Sequence, residues 1–159
     1  MSIKLFFCGD ILINNDIKIS EELTSVIKSC DAAICNLEGP LIGKDSNKGV
    51  KIGPYLNQNE SAIKLLAKSG FNIFNLANNH ILDYGFSGLQ ATISEIKRLK
   101  KEYIGAGFSN EEIYLPKIIQ INDIKVLIIS GCENGFGCSQ HYDNTKGYAY
   151  LYSNFINEI

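Results

Sequence analysis

The chain has 159 residues, 45% hydrophobic and 20% charged, with a formal net charge of −2. That length suits one compact domain over residues 1–159, and the hydrophobic share is ample for one core and well above that of disordered chains. The near-neutral balance excludes a broad nucleic-acid surface, which needs clustered positive charge, and 14 Gly with 3 Pro exclude collagen-like or low-complexity sequence.

The first ten residues carry one Lys and a short apolar run, which Asp10 interrupts before a signal-peptide core is complete. No stretch approaches the eighteen or so uninterrupted apolar residues of a membrane helix. As written, the chain reads as cytoplasmic; a cell-envelope location follows if an upstream anchor has been removed. Residues 3–9 (IKLFFCG) predict a first strand. Ser20 is an N-cap, with Glu21 and Glu22 in the favourable first turn, for a helix reaching residue 29. Residues 32–37 (AAICNL) read as a second strand of the small, branched type buried on both faces.

Residues 39–57 carry Gly, Pro, Lys, Asp and Asn without periodicity, so they predict a long loop of the kind that is usually functional. Asn59 or Ser61 caps the next helix, whose Ile63, Leu66 and Ala67 share a face and which Gly70 ends. Residues 71–77 predict a third strand. A helix over 86–101 follows, its basic end 97–101 complementing the helix C-terminus rather than forming a nucleic-acid patch. Residues 118–121 and 125–130, joined by Asn122-Asp123, predict a hairpin. Strand–helix alternation makes the fold α/β with a mostly parallel sheet. Five cysteines lack the density of a secreted disulfide framework: Cys8 and Cys35 read as small buried core residues, and Cys132 and Cys138 as two free thiols in a loop in preference to a disulfide.

The informative feature is what the strands deliver at their carboxyl ends. The first ends in Gly9-Asp10, the second in Asn36-Leu37-Glu38, and the third in Asn78-Asn79-His80, followed by Asp83. In a parallel sheet those tips lie side by side along the edge where open α/β folds bind ligands. Oxygen donors from Asp10, Glu38 and an Asn amide suit magnesium, manganese or calcium, and nitrogen donors admit zinc or iron. Glu38, on the middle tip, is placed to bridge two ions, and His80 to protonate a leaving group or stabilise developing charge. Each residue also has a plain structural use: Asp10 as a turn residue, Glu38 as a solvated loop carboxylate, Asn78-Asn79 as a turn pair, Asp83 as a helix cap or as support for its neighbours.

Gly9-Asp10, Asn36-Leu37-Glu38 and the stretch from Asn75 to Gly85 (NLANNHILDYG) resemble the bacterial capsule-synthesis, CapA-type poly-γ-glutamate family. Gly88-Leu89, Thr92, Gly105-Ala106-Gly107 and Pro116 agree, and the resemblance runs from about residue 3 to 130. It implies a calcineurin-like metallophosphoesterase fold, a layered β-sandwich flanked by helices with a two-metal site. By position it makes Asp10 the first metal carboxylate, Glu38 the bridging ligand, Asn79 the amide ligand and His80 the histidine that contacts substrate phosphate; from their places at the strand tips, Asn36, Asn78 and Asp83 read as supporting residues. It implies a divalent cofactor (Mn, Mg, Zn or Fe) and either of two roles. One is a hydrolase acting on a phosphoester or polyglutamate-type amide; the other is a non-catalytic binding or assembly component working with capsule-synthesis partner proteins.

The chain departs from the superfamily pattern in three places. Leu12 stands where Asp-x-His would put a histidine, Glu38 replaces an Asp, and no Gly-His-x-His follows. The other histidine, His141, sits in an unrelated context and reads as a loop residue. Residues 152–159 read as a capped helix barely begun, so the chain is expected to be the front of a longer protein, binding metal weakly and catalysing little by itself.

Overall fold

The computed structural model describes residues 2–133 and 147–151. Strands β1 (Leu5–Ile11), β2 (Ala32–Leu37), β3 (Ile73–Asn75) and β4 (Glu102–Ile104) form one parallel sheet in the order β1-β2-β3-β4. Helices α1 (Glu21–Lys28), α2 (Ala62–Ser69) and α3 (Gly85–Arg98) make the three crossovers. Beyond the sheet lie β5 (Ala106–Gly107), α4 (Asn110–Tyr114), the antiparallel hairpin β6 (Lys117–Ile121) and β7 (Ile124–Ile128), and the short strands β8 (Cys132–Glu133), β9 (Gly147–Tyr148) and β10 (Tyr150–Leu151). β9 pairs with β5, and β10 with β8.

Alternation along β2 sorts its side chains between two layers, as the two-residue period requires. Ala33, Cys35 and Leu37 join Phe74, Leu66, Leu89, Ile93 and Ile96 in the core beneath the helices. Ala32 and Ile34 join Ile73, Ile104 and Ile128 on the opposite face, against the hairpin's Ile119 and Val126. The α/β layering matches expectation; the full β-sandwich implied by the resemblance is not shown by the described residues.

Local signals account for most element ends. Ser20 Oγ accepts from Leu23 N at 3.2 Å, capping α1. At the end of α2, Gly70 has φ +113°, and a Cβ there would lie 2.9 Å from side-chain atoms of Ile27 and Lys28. Glycine therefore permits both the left-handed turn and the close approach of α1. β3 is shorter than the predicted 71–77 because its asparagines take over backbone pairing. Asn72 Oδ1 accepts from Ala33 N at 2.9 Å and Asn75 Oδ1 from Ala77 N at 3.1 Å. α3 stops at Arg98, before the predicted residue 101, with Lys100 in left-handed backbone at φ +54°. Residues 138, 141 and 152–159, and with them the readings made of Cys138, His141 and a final helix, lie outside the described residues. Among those described, no helix is long and apolar enough to cross a membrane.

Candidate functional site

The tips converge through a break in register. β1 pairs Cys8 with Cys35 but Asp10 with Asn36, so Gly9 is an extra residue bulged from the ladder. Without the bulge Gly9 would face Asn36; with it, the Asp10 carboxylate does. Asn36 Nδ2 donates to Asp10 Oδ1 at 2.6 Å and to Glu38 Oε2 at 2.9 Å. Its Oδ1 accepts from Asn75 Nδ2 at 2.9 Å and Asn78 Nδ2 at 3.2 Å. One amide thus ties together the ends of three strands. Asn75 is held in turn by Ser130 Oγ, which donates to its Oδ1.

Glu38 leads to the histidine. Its Oε1 lies 3.8 Å from His80 Nε2, with the two side chains 14% and 11% exposed. Asn78 places His80: its Nδ2 donates to Leu37 O at 2.9 Å and its Oδ1 accepts from His80 N at 3.1 Å. On the far side of the ring, Nδ1 is 2.7 Å from Asp83 Oδ2 and 2.9 Å from Lys51 Nζ. Lys51 Nζ donates to Asp83 Oδ1 at 2.5 Å, both side chains fully buried, and Leu56 N donates to Asp83 Oδ2 at 2.7 Å.

Asp10, Asn36, Glu38, Asn78, His80 and Asp83 therefore form one continuous polar network. Asp83 supports its neighbours rather than capping α3, whose N-cap position is Tyr84 without a side-chain cap. Asn79 is partly exposed and, among the described residues, its amide makes no hydrogen bond. Nor do those residues include a group of three or more His, Cys, Asp or Glu that could hold a metal ion. The chemistry of the donor set still suits a hard cation. Two carboxylates converge on one amide, and Glu38's carboxyl is pushed above its usual range by burial first and Asp10's charge second. His80 and the Asn36 hydrogen bond act the other way. A divalent ion would relieve both burial and repulsion.

A model of the family described as "Bacterial capsule synthesis protein PGA_cap" matches residues 4–155. The chain belongs to this family. Two curated relatives align with it. Capsule biosynthesis protein CapA of Bacillus anthracis is 27% identical over 130 residues, 74% of this chain and 32% of the relative. PGA biosynthesis protein CapA of Bacillus subtilis (strain 168) is 27% identical over 113 residues, 65% of this chain and 30% of the relative. The chain spans about a third of the length of the curated relatives it matches.

In this PGA_cap member, two site-building residues carry no local sequence signal. Lys51 lies in the aperiodic loop and meets partners about thirty positions away. Gln58 staples the loop to the site: its Nε2 donates to Ile11 O and Glu38 O, both at 2.8 Å, and its Oε1 accepts from Ile13 N at 2.9 Å. Glu38's raised pKa also makes a stability prediction. The folded chain holds this proton more tightly than the unfolded chain, so the contribution is full below the unfolded pKa and lost as pH rises through the folded one. Glu38→Gln, which keeps an acceptor for Asn36, is expected to be more stable than the parent at pH 7. The gain should be below about 1 kcal/mol after solvent screening and should vanish near pH 4, as read by urea denaturation at both pH values.

Proposed function

We propose that the chain carries part of a divalent-metal hydrolase site serving capsule or poly-γ-glutamate-type polymer biosynthesis, acting on a phosphoester or polyglutamate-type amide. The observation that supports this most is the Asn36-bridged pair of Asp10 and Glu38, with His80 beside Glu38, at the carboxyl edge of a parallel sheet. The relatives' names place them in capsule and PGA biosynthesis and supply the polymer context. Asp10 and Glu38 would hold the ion, with Asn79 as a further donor. A bound divalent ion supplies Lewis-acid polarisation of the scissile group and acidifies water. The chain's own residues do the rest: Asn36 fixes the spacing of the carboxylates, Asn78 sets the height of His80, and His80 moves a proton at Nε2.

Metal binding is the primary readout, because it reports on Asp10 and Glu38 directly, whatever the substrate. Saturable Mn²⁺ binding by calorimetry is expected, weakened about tenfold or more in Asp10→Ala and Glu38→Ala. His80→Ala should keep the binding and the circular dichroism spectrum while cutting Mn²⁺-dependent hydrolysis of an aryl phosphate or γ-glutamyl anilide about 100-fold. An absence of saturable binding, with Asp10→Ala indistinguishable from the parent, overturns the enzyme reading and favours the non-catalytic assembly component.

A further inference from the structure

Residues 39–57 contain no helix or strand, yet they are fastened along their length to α3 and to the turn before it. Leu41 N donates to Thr92 Oγ1 at 2.8 Å, Gly49 N to Asp83 O at 3.0 Å, and Leu56 N to Asp83 Oδ2 at 2.7 Å. Midway along, Val50 and Ile52 are exposed, while the Lys51 side chain between them is fully buried. This inverts the usual preference, since apolar groups face water and an ammonium leaves it. Lysine is buried only where partners compensate the charge, and here they are Asp83 Oδ1 at 2.5 Å and the face of Tyr55, whose ring centroid is 5.5 Å away. Tyr55 is itself fixed by its hydroxyl, which donates to Gly49 O at 2.8 Å.

Asp83 then has one oxygen for Lys51 and the other for His80 and Leu56 N. The 2.7 Å separation of His80 Nδ1 and Asp83 Oδ2 needs a proton between them, because two lone pairs repel at that distance. Lys51 Nζ lies 2.9 Å from the same nitrogen, and Nδ1 can pair with only one of the two: the shorter contact, to the carboxylate, takes the Nδ1 proton and leaves the ammonium's three donors to Oδ1 and the face of Tyr55. We propose that Lys51 is a positioning residue: carried in by the 39–57 loop, it holds Asp83 so that His80 donates through Nδ1–H and turns an unprotonated Nε2 toward Glu38. The inference rests on the hydrolase reading in one respect, since it names the nitrogen that would take a proton there. Lys51 acts through Asp83 on His80, and it couples closure of the loop to orientation of the ring.

The tautomer is directly observable, because the chain has only two histidines, His80 and His141. The experiment is long-range ¹H–¹⁵N correlation on the ¹⁵N-labelled chain with the rings neutral, assigned with His141→Gln. For His80, a pyrrole-type Nδ1 and a pyridine-type Nε2 are expected. Lys51→Gln should mix the two tautomers and release the amides of Gly49 and Leu56 to faster hydrogen exchange, and Lys51→Arg should restore the parent pattern. An Nε2–H ring in the parent overturns the proposal, as does an unchanged Nδ1–H ring in a folded Lys51→Gln. If Lys51→Gln fails to fold, the parent and Lys51→Arg decide: Nδ1–H in both upholds the proposal, and Nε2–H in either overturns it. Absence of saturable Mn²⁺ binding alongside the expected tautomers sinks the hydrolase reading and upholds this one.

Discussion

Asp83→Ala is expected to destabilise the chain by about 3–5 kcal/mol, the range seen when one partner of a buried ion pair is removed. Asp83 and the Lys51 side chain are both fully buried, so the ammonium left behind must lose its proton, swing to solvent or remain unpaired. Leu56 N and His80 Nδ1 lose their acceptor in the same step. For a chain of this size the midpoint of thermal unfolding should fall by about 10 °C. Removing both charges with Lys51→Met/Asp83→Leu should recover much of the loss, because paired burial of ions is costly while apolar replacement of both is not. Urea denaturation of the single and double variants gives the coupling. Additive losses would show that the two residues are not partners.

The order in which the site assembles decides what could be read from residues alone. β2 was legible to the residue, because AAICNL is an apolar run after Asp31 that only Asn36 interrupts, and a buried strand has no other local signature. The convergence of three polar tips followed from parallel pairing, which the strand–helix alternation implied. The bulge at Gly9 was not legible: it is a one-residue shift against a partner 26 positions away, and it decides that Asp10 rather than Gly9 meets Asn36. Lys51 was hidden for the same reason at longer range, since a lysine in a loop looks solvated until its partners' positions are known. β5, β8, β9 and β10, each of two residues, are too short to leave any period in the sequence. The helix-cap reading of Asp83 failed in favour of support because the loop delivers a cation and a backbone N–H to it, and a carboxylate gains more from those partners than from a helix end.

That same reliance on side-chain pairing makes Asn36 the residue on which the sheet edge turns. Asn36→Ala removes a donor shared by two carboxylates and the acceptor of Asn75 and Asn78 at once. Hydrogen bonds to charged groups contribute about 1.5–3 kcal/mol each, and Asp10 is exposed enough for water to replace part of one. A net loss of about 3 kcal/mol is expected. Asn36→Asp is the sharper test, because it preserves shape and places a third carboxylate between Asp10 and Glu38. With no cation added, N36D should be less stable than Asn36→Ala at pH 7. It should regain stability on acidification, since a carboxyl crowded by two like charges has its folded-state pKa raised and its stabilising contribution is lost as pH rises through that value. Millimolar Mn²⁺ or Ca²⁺ should raise the unfolding midpoint of N36D more than that of the parent, because a ligand bound only by the folded state stabilises it by mass action. Equal shifts in N36D, Asn36→Ala and parent would mean that the carboxylates at the tips of β1 and β2 do not address a common point, and the metal-site reading would lose its geometric basis.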